Sequence, residues 1–402
     1  MGCGQRDTRD FDNIGLVRTA LARSGNRSLR VDLQVTGDAT FTAIVAVLRP
    51  FSNRIAHLHI TADNSMEVVN FFDGLNSLRK LKRLVVVTRA RHDGNDTQKT
   101  LFHPETVQPK ALRHLEVEGP YLLYDESSLP YLEYVRLPMY SVSHFMQGLE
   151  ECCDIRYLHY EISDAGLYDE LTSELVADIQ DCISRLDPEV IVVSNIYAPD
   201  TAAVLEVVHI PDLRDVRLAF SPDSPVIFDA FAIFEDIKTS WILSWTRSGS
   251  SRTTLELSAT TASADVARKI TWAVGRLDID GVASLWDYLP PLEMLFRIEV
   301  DAINWNQPYL MIPDSSHLRE LNLRFCNASE IFPAISILKA RSSGWPKLEL
   351  VRFQYLGHES QNSELRMPFP WQASSVLDTP VVPPHFSGME TLAISEPWSG
   401  SS

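Results

Sequence analysis

The chain has 402 residues, of which 45% are hydrophobic and 22% are charged, so it has ordinary globular usage and enough length for a sizeable core. Its formal net charge of -17 argues against a nucleic-acid partner and against binding to an anionic membrane surface, because both attract basic proteins. No apolar run reaches the ~18 residues that a membrane span requires.

The amino terminus carries one candidate modification signal. Gly2 and Cys3 resemble a myristoylation and palmitoylation start, although Arg6 stands where that pattern has Ser or Thr. A lipid-anchored or free scaffold protein therefore stays open as an alternative function.

Cysteine usage indicates the compartment. The chain has five cysteines, an odd number, and no secretory hydrophobic segment opens it. This pattern is typical of a reducing environment, so we expect a cytoplasmic or nuclear protein. Cys152 and Cys153 are adjacent and form no Cys-x-x-Cys motif, and we expect them to act as small buried hydrophobic residues.

A leucine motif returns along the chain. Its clearest copy, Leu318 to Cys326, fits L-x-x-L-x-L-x-x-C in full. Leucines at the fourth and sixth positions alternate inward on a short strand, and the first leucine turns the chain into that strand. Looser copies begin, in chain order, at Ile55, Leu81, Leu112, Leu132, Ile155, Leu213, Leu295, Leu348 and Met389. Weaker strands are predicted at 29–35, 190–193, 254–257 and 276–279.

The spacing of the copies favours a repeat. The fourth-position residues Leu58, Leu84, Leu115, Val135 and Leu158 lie 26, 31, 20 and 23 residues apart. Leucine-rich repeats run ~20–29 residues, or longer with insertions. The alternative is a βαβ protein whose strands happen to be rich in leucine.

Between the strands the apolar period changes from two to that of a helix. Four stripes predict helices that pack on the strand layer. They comprise Met66, Val69, Phe72 and Leu75; Val142, Phe145, Met146 and Leu149; Leu175, Ile179, Ile183 and Leu186; and Ile331, Ala334, Ile335 and Leu338.

A strand followed by a helix cannot bury its apolar face alone, so the units must stack. The predicted fold is therefore an α/β leucine-rich-repeat solenoid, a curved arc with parallel strands on the concave side and helices on the convex side. We expect a lead-in over 1–20 and the solenoid over 21–402, with polar or proline-rich loop insertions near 89–110 and 357–386.

The segment from Leu21 to Leu33 resembles the L-x-R-S-G-x-x-P-L-x-L stretch of fungal F-box-like proteins with degenerate leucine-rich repeats, with Ser28 where that pattern usually has Pro. The stretch from Leu48 to Ile55 resembles the segment that follows in those proteins, a helix end that leads into the first clear repeat strand. The resemblance implies a repeat domain that holds the substrate of a cullin–RING (SCF) ubiquitin ligase, after an F-box that docks a Skp-type adaptor.

The docking half of that arrangement is not found in the sequence. About twenty residues precede Leu21, and an F-box needs roughly twice that number to form its helices. There is also no Leu-Pro-x-Glu opening. We therefore expect a recognition module that lacks the F-box, either truly or because the gene is truncated.

No pattern for catalysis stands out. The chain has no G-x-x-x-x-G-K-[ST] loop and no G-x-S-x-G elbow, so we expect a protein that is not an enzyme and needs no cofactor. His57 and His59 share one strand face, but a zinc site needs three or four ligands and no others are placed by the sequence. A hydrolase on an unrecognised α/β fold is kept as the enzymatic alternative.

The residues that flank the fifth motif position should lie on the concave face, because side chains alternate along a strand. A protein partner is expected there, and Tyr134, Arg136, Tyr157 and His159 form the leading cluster because tyrosine and arginine are enriched at interfaces. The candidate partner-binding residues are His57, His59, His114, Glu116, Tyr134, Arg136, Tyr157, His159, Asp215, Arg217, Arg297, Glu299, Glu320, Asn322 and Arg352.

Overall fold

The structure is a computed structural model that describes residues 9–35, 38–63, 65–75, 77–88, 99–101, 109–119, 121–122, 129–139, 146, 149, 152, 154–162, 173–208, 213–222, 228–248, 254–273, 286, 289–301, 315–325, 330, 334, 344–356 and 362–368. The chain divides into two compact units. Unit 1 comprises Met1–Ile233 and Arg268–Asp278, and unit 2 comprises Phe234–Ala267 and Ile279–Ser402. Both units contain strands that carry the leucine motif.

The described α-helices all belong to unit 1. They are α1 (Arg9–Arg23), α2 (Asp38–Leu48), α3 (Ser65–Gly74), α4 (Ser173–Leu186) and α5 (Thr201–Val208). The helices α2 and α3 approach closely at Gly74, because a Cβ added there would collide with the side chain of Val45. None of the helices within the described ranges combines the length and the apolar character needed to cross a membrane.

The described strands belong to both units. They are β1 (Leu29–Val35), β2 (Ile55–Ala62), β3 (Arg83–Thr88), β4 (Lys99–Thr100), β5 (His114–Glu118), β6 (Tyr121–Leu122), β7 (Tyr134–Met139), β8 (Tyr157–Ile162), β9 (Val190–Ile196), β10 (Asp215–Phe220), β11 (Trp241–Ser248), β12 (Thr254–Thr261), β13 (Ala267–Ala273), β14 (Leu295–Asp301), β15 (Glu320–Phe325), β16 (Leu350–Leu356) and β17 (Asn362–Pro368).

Unit 1 contains an open, mostly parallel sheet. Its strand order is β1-β2-β3-β5-β7-β8-β9-β10-β13, and every neighbouring pair from β1 to β10 is parallel. The short strands β4 and β6 form a separate parallel pair. The prediction that the motif strands lie side by side and parallel is therefore confirmed for the copies of unit 1.

The leucine motif forms two buried layers in unit 1. Register pairs join the fourth-position residues of the motif strands and Ile191 of β9, and the residues two positions later align from β2 to β5 and from β7 to β10. All of these side chains are buried against the interior, as the alternation predicts. The fourth-position layer consists of Leu58, Leu84, Leu115, Val135, Leu158, Ile191 and Val216.

Helix α3 confirms one predicted helix but not its whole buried face. Met66 was expected in the core, yet it is 47% exposed. The buried stripe is Val68, Phe71, Phe72 and Leu75, at i, i+3, i+4 and i+7. Helix α4 buries Ile179, Ile183 and Leu186 as predicted. In the other two stripes, Val142, Phe145, Ile331, Ile335 and Leu338 lie outside the described residues.

In unit 2 the strand order is β12-β11-β14-β15-β16-β17. The pairs β11–β14, β14–β15 and β15–β16 are parallel, whereas β11–β12 and β16–β17 are antiparallel. Leu243, Ile298, Leu321 and Val351 align in register and are buried. The indole Nε1 of the buried Trp241 donates to the carbonyl oxygen of Pro291 at 3.1 Å.

The weaker strand predictions have mixed outcomes. Strands β1, β9 and β12 confirm the predictions near 29–35, 190–193 and 254–257. The expected parallel arrangement is wrong at β12, because this strand forms a hairpin with β11. The motif copy that begins at Met389 and the strand predicted at 276–279 lie outside the described residues. Strand β17 falls within the expected insertion near 357–386 and was not predicted.

Candidate functional site

The candidate residues of unit 1 occupy one polar face of its sheet. The register pairs place His57 beside Arg83, Arg83 beside His114, His114 beside Tyr134, and Tyr134 beside Tyr157. These side chains alternate with the buried leucine layers, so they lie on the opposite face of the sheet. The sequence omitted Arg83, although it precedes the fourth motif position as His57 does in the copy before it.

A second row runs parallel to the first, two residues farther along each strand. His59, Val85, Glu116, Arg136 and His159 are successive register partners in this row. The structure therefore brings together the leading cluster that the sequence predicted. We call the part of this face formed by β5, β7 and β8 the ladder face; its residues are His114, Glu116, Tyr134, Arg136, Tyr157 and His159.

The rings of the ladder face are stacked. The centroids of His114 and Tyr134 lie 4.0 Å apart with planes at 9°, and those of Tyr134 and Tyr157 lie 4.4 Å apart at 8°. Neighbouring strands in a sheet are ~4.8 Å apart, so planar side chains at register positions can stack directly. The two faces of Tyr134 are thereby covered by its neighbours, and the edge of its ring is the part left to meet another molecule.

Ion pairs hold the charged groups beside the rings. The guanidinium of Arg83 donates to Glu116 at 2.9 Å, and that carboxylate also contacts the imidazole of His114. Arg136 donates to Glu161 at 2.8 Å. Glu161 lies on the same face as His159, two residues farther along β8, and the alternation rule could have identified it.

The charge state of the ladder face follows from burial and from these partners. Burial lowers the pKa of His114 more than its hydrogen bond to Glu116 raises it. Burial alone would raise the pKa of Glu116, but the hydrogen bonds and positive charges of His114 and Arg83 outweigh it and lower that pKa. Burial, together with the charges of Tyr157 and Glu116, raises the pKa of Tyr134 to about 12.

Arg136 and His159 complete this electrostatic arrangement. Burial works against the charge of Arg136, but the hydrogen bond to Glu161 and the negative charges of Glu161, Glu116 and Glu118 together outweigh it and raise its pKa. Burial, assisted by the positive charge of Arg136, lowers the pKa of His159 to about 4. At neutral pH the ladder face therefore presents the neutral imidazoles of His114 and His159, the neutral phenol of Tyr134, one carboxylate at Glu116 and one guanidinium at Arg136.

His159 also contacts a hydroxyl group on the next strand. Its Nε2 lies 2.7 Å from Oγ of Ser194, which is a hydrogen-bonding distance. Within the described ranges no carboxylate hydrogen-bonds to His159. The sequence did not single out Ser194, because a serine in a strand without the leucine motif carries no distinguishing signal.

Two candidate residues of unit 1 are separated from the ladder face by a strand with valines at the register positions. Asp215 and Arg217 of β10 are separated from the ladder face by Val190 and Val192 of β9. Arg217 donates to Asp215, two residues earlier on the same strand, at 2.6 Å.

At the opposite end of the row, His59 Nδ1 lies 2.9 Å from Asp32 Oδ1. Among the residues that the structure describes, no group of three or more metal-binding side chains is found at either place.

The candidates of unit 2 form a separate charge network. Arg297 lies beside Glu320 in register, and Glu299, Asn322 and Arg352 form the next row. Ion pairs join Arg297 to Glu299 at 3.4 Å and Arg352 to Glu320 at 3.3 Å.

Two further side chains extend the network of unit 2. Arg324 lies 3.6 Å from both Glu299 and Asp301. It comes two residues after Asn322 on β15, so alternation predicts it for the same face, yet the sequence analysis did not include it.

A cavity of about 540 Å³ lies near the amino-terminal ends of β7 to β10 in unit 1. Its lining includes Glu133, Arg156, Glu189 and Arg214, each of which directly precedes one of these strands. The lining mixes acidic and basic side chains and includes neither His159 nor Ser194. It therefore does not form a common site with the ladder face.

Comparisons with known proteins add no relative. No protein-family model, no curated protein and no solved structure matches the chain.

Proposed function

We propose that this chain is a degenerate leucine-rich-repeat solenoid whose ladder face binds another protein. The support for a repeat comes from the parallel register of the motif strands in each unit, with the motif leucines buried and most of the intervening positions polar. Repeats of this kind stack their units and use the strand face for recognition.

One observation carries the proposal of a binding face: the stacked His114, Tyr134 and Tyr157 rings beside Arg136. Rings fixed by their neighbours lose little conformational freedom when a partner binds. Tyrosine and arginine are also enriched among the energetically important residues of protein interfaces. The alternation of rings and charged groups fits a partner with both apolar and charged side chains.

The biological role that we propose is substrate recognition, as in the F-box-like proteins that the segment from Leu21 to Leu33 resembles. The proposal concerns the recognition half alone. Association with a Skp-type adaptor is a separate question, because the sequence does not carry the F-box pattern.

Affinity capture with the full chain tests the binding face. We expect Arg136→Glu to reduce the amount of captured partner about tenfold, because it places two carboxylates together at Glu161 and removes the cation of the ladder face. Arg319→Glu is the matched control, since Arg319 forms an exposed ion pair with Glu349 in unit 2. Equal capture by the wild type and Arg136→Glu, with both folded, would contradict the proposal.

The same capture experiment addresses the ligase role. A Skp-type adaptor among the proteins retained by the wild type and by Arg136→Glu alike would support membership of an SCF ligase. Capture of a partner without that adaptor would leave the binding function in place and remove the ligase role.

A hydrolase is the second candidate, and only the contact between His159 and Ser194 favours it. A general base works best with a pKa near the operating pH, whereas that of His159 is about 4. We therefore expect a fluorophosphonate probe to leave Ser194 unlabelled at pH 7. Labelling that disappears in Ser194→Ala would overturn this expectation and favour the enzyme.

A further inference from the structure

Strand β1 is the edge of the unit 1 sheet, and its inward side chains are incompletely covered. Val31 and Leu33 pair in register with Leu58 and Ile60 of β2. The two β2 residues are fully buried, whereas Val31 and Leu33 keep part of their surface exposed. The apolar layers of the sheet therefore continue to its edge without a neighbour on the outer side among the described residues.

The helix layer at the same end shows the same incomplete burial. Leu16 is 69% exposed and Val17 is 47% exposed on α1. On α2, Ile44, Val45 and Val47 are only partly buried. Both layers at this end of unit 1 thus leave apolar surface that another element would cover favourably.

Strand β1 has few of the features that normally protect an edge, since its only charged residues are Arg30 and Asp32, which are of opposite sign. Natural sheets block edge pairing with proline, with lysine or with charged side chains that point inward. The strand has the sequence Leu-Arg-Val-Asp-Leu-Gln-Val, so its inward positions are apolar and no proline interrupts its seven residues. An unprotected edge of this kind is available for pairing with another strand.

We propose that β1 pairs antiparallel with β1 of a second copy of this chain. A two-fold axis perpendicular to the sheet joins identical edges and keeps the helix layers of both copies on the same side. Residues that oppose each other across such an axis point to the same face, because side chains alternate along each strand. Only registers centred on a residue therefore satisfy the symmetry.

Charge selects one of these registers. Centred on Val31, the pairing places each Arg30 opposite Asp32 of the other copy and each Leu29 opposite Leu33. Centred on Arg30 or on Asp32, it places like charges opposite each other, which is destabilising. The sequence of β1 is thus complementary to itself in the register that also aligns its apolar residues.

The charged groups of β1 are exposed and are therefore accessible to a second copy. Within one chain, Arg30 lies 3.4 Å from Asp32, and the two side chains are 78% and 54% exposed. Asp32 also contacts His59 at 2.9 Å. Pairs that are this exposed contribute little to the stability of the monomer, so a second copy can compete for them.

Sedimentation velocity of the full chain from about 1 to about 100 μM tests the proposal. We expect a reversible dimer in the wild type. Arg30→Asp and Asp32→Arg should each weaken the homodimer roughly tenfold, because each variant replaces two attractive pairs by repulsive ones. An equimolar mixture of the two variants should dimerise again, since every cross-copy pair then joins Arg to Asp.

The mixing experiment makes the outcome independent of folding defects, because a misfolded variant could not be rescued by its counterpart. Arg319→Asp, which changes an exposed ion pair in unit 2, is the matched control and should leave the dimer unchanged. A monomeric wild type over this range overturns the proposal, and so does a dimer that neither β1 variant weakens. The capture of a partner by the ladder face is not altered by either result.

Discussion

His159 is a single side chain that makes the stability of the fold depend on pH. It lies between Arg136 on one strand and Ser194 on the other, in a partly buried position where a proton is poorly accommodated. The folded protein therefore holds this imidazole neutral well below the pH at which an exposed histidine becomes charged.

We expect acidification to destabilise the wild type through this residue. The unfolded chain binds a proton at this imidazole near pH 6.5, whereas the folded protein does so near pH 4. Between these values the unfolded state binds more protons, so the free energy of unfolding falls as the pH falls. Urea unfolding at several pH values should show a shallower fall for His159→Gln, and parallel curves for the two proteins would contradict the assignment.

The ring stack allows a second prediction at this scale. Tyr134→Ala removes both of its ring contacts and should lower the free energy of unfolding by about 1–3 kcal/mol, because each aromatic pair contributes beyond its buried area. Tyr131→Ala is the control, since that ring is 56% exposed, and it should change stability by less than about 0.5 kcal/mol. Equal effects of the two substitutions in urea unfolding would show that the stack contributes nothing.

At the scale of single elements, α3 shows how a helix face is chosen. The sequence placed Met66 in the core with Phe72 and Leu75, but the helix turns so that Phe71 and Val68 point inward. Both stripes are apolar, and their difference is a rotation of one residue position, about 100° around the helix. Only the packing against the strand layer decides between them.

This rotation gives a direct test. Phe71→Ala should cost about 3–5 kcal/mol of stability, because it leaves a cavity in the core. Met66→Ala should change stability by less than about 0.5 kcal/mol, since its side chain is largely exposed. Thermal unfolding of the two variants measures the loss of stability. A larger loss for Met66→Ala than for Phe71→Ala would favour the buried face that the sequence predicted.

The elements differ in how far the sequence determines them. Strands with the leucine motif, such as β5 and β15, were predicted because alternate leucines mark both the strand and its buried face. The hairpin of β11 and β12 lacks the motif, so its antiparallel direction depends on tertiary pairing that no local pattern encodes. The ladder face followed from the same alternation, whereas the Ser194 contact depends on a neighbouring strand.

At the scale of the whole molecule, the chain divides into two compact units, and each contains parallel motif strands with buried motif residues. Within unit 1 the strands do not all have the same protection. Strands β5, β7 and β8 are paired on both sides, whereas β1 is paired on one side only among the described strands.

Hydrogen–deuterium exchange should report this difference. Backbone amides of β7 and β8 should exchange more slowly than those of β1 at low protein concentration, because opening them breaks pairing on two sides. If β1 pairs with a second copy, its protection should increase with concentration while that of β8 stays constant. Uniform exchange over these three strands would contradict the sheet order.

The two valines of β9 have a further consequence for anything that spans the sheet of unit 1. Strands β8 and β10 are two strand spacings apart, roughly 10 Å, and Val190 and Val192 occupy the interval. At these two positions a ligand that reaches from Tyr157 to Arg217 must pass over apolar side chains before it regains polar contacts. Replacing Val192 by threonine would place a hydroxyl group between His159 and Arg217, so that polar side chains would continue from β8 to β10 in that row.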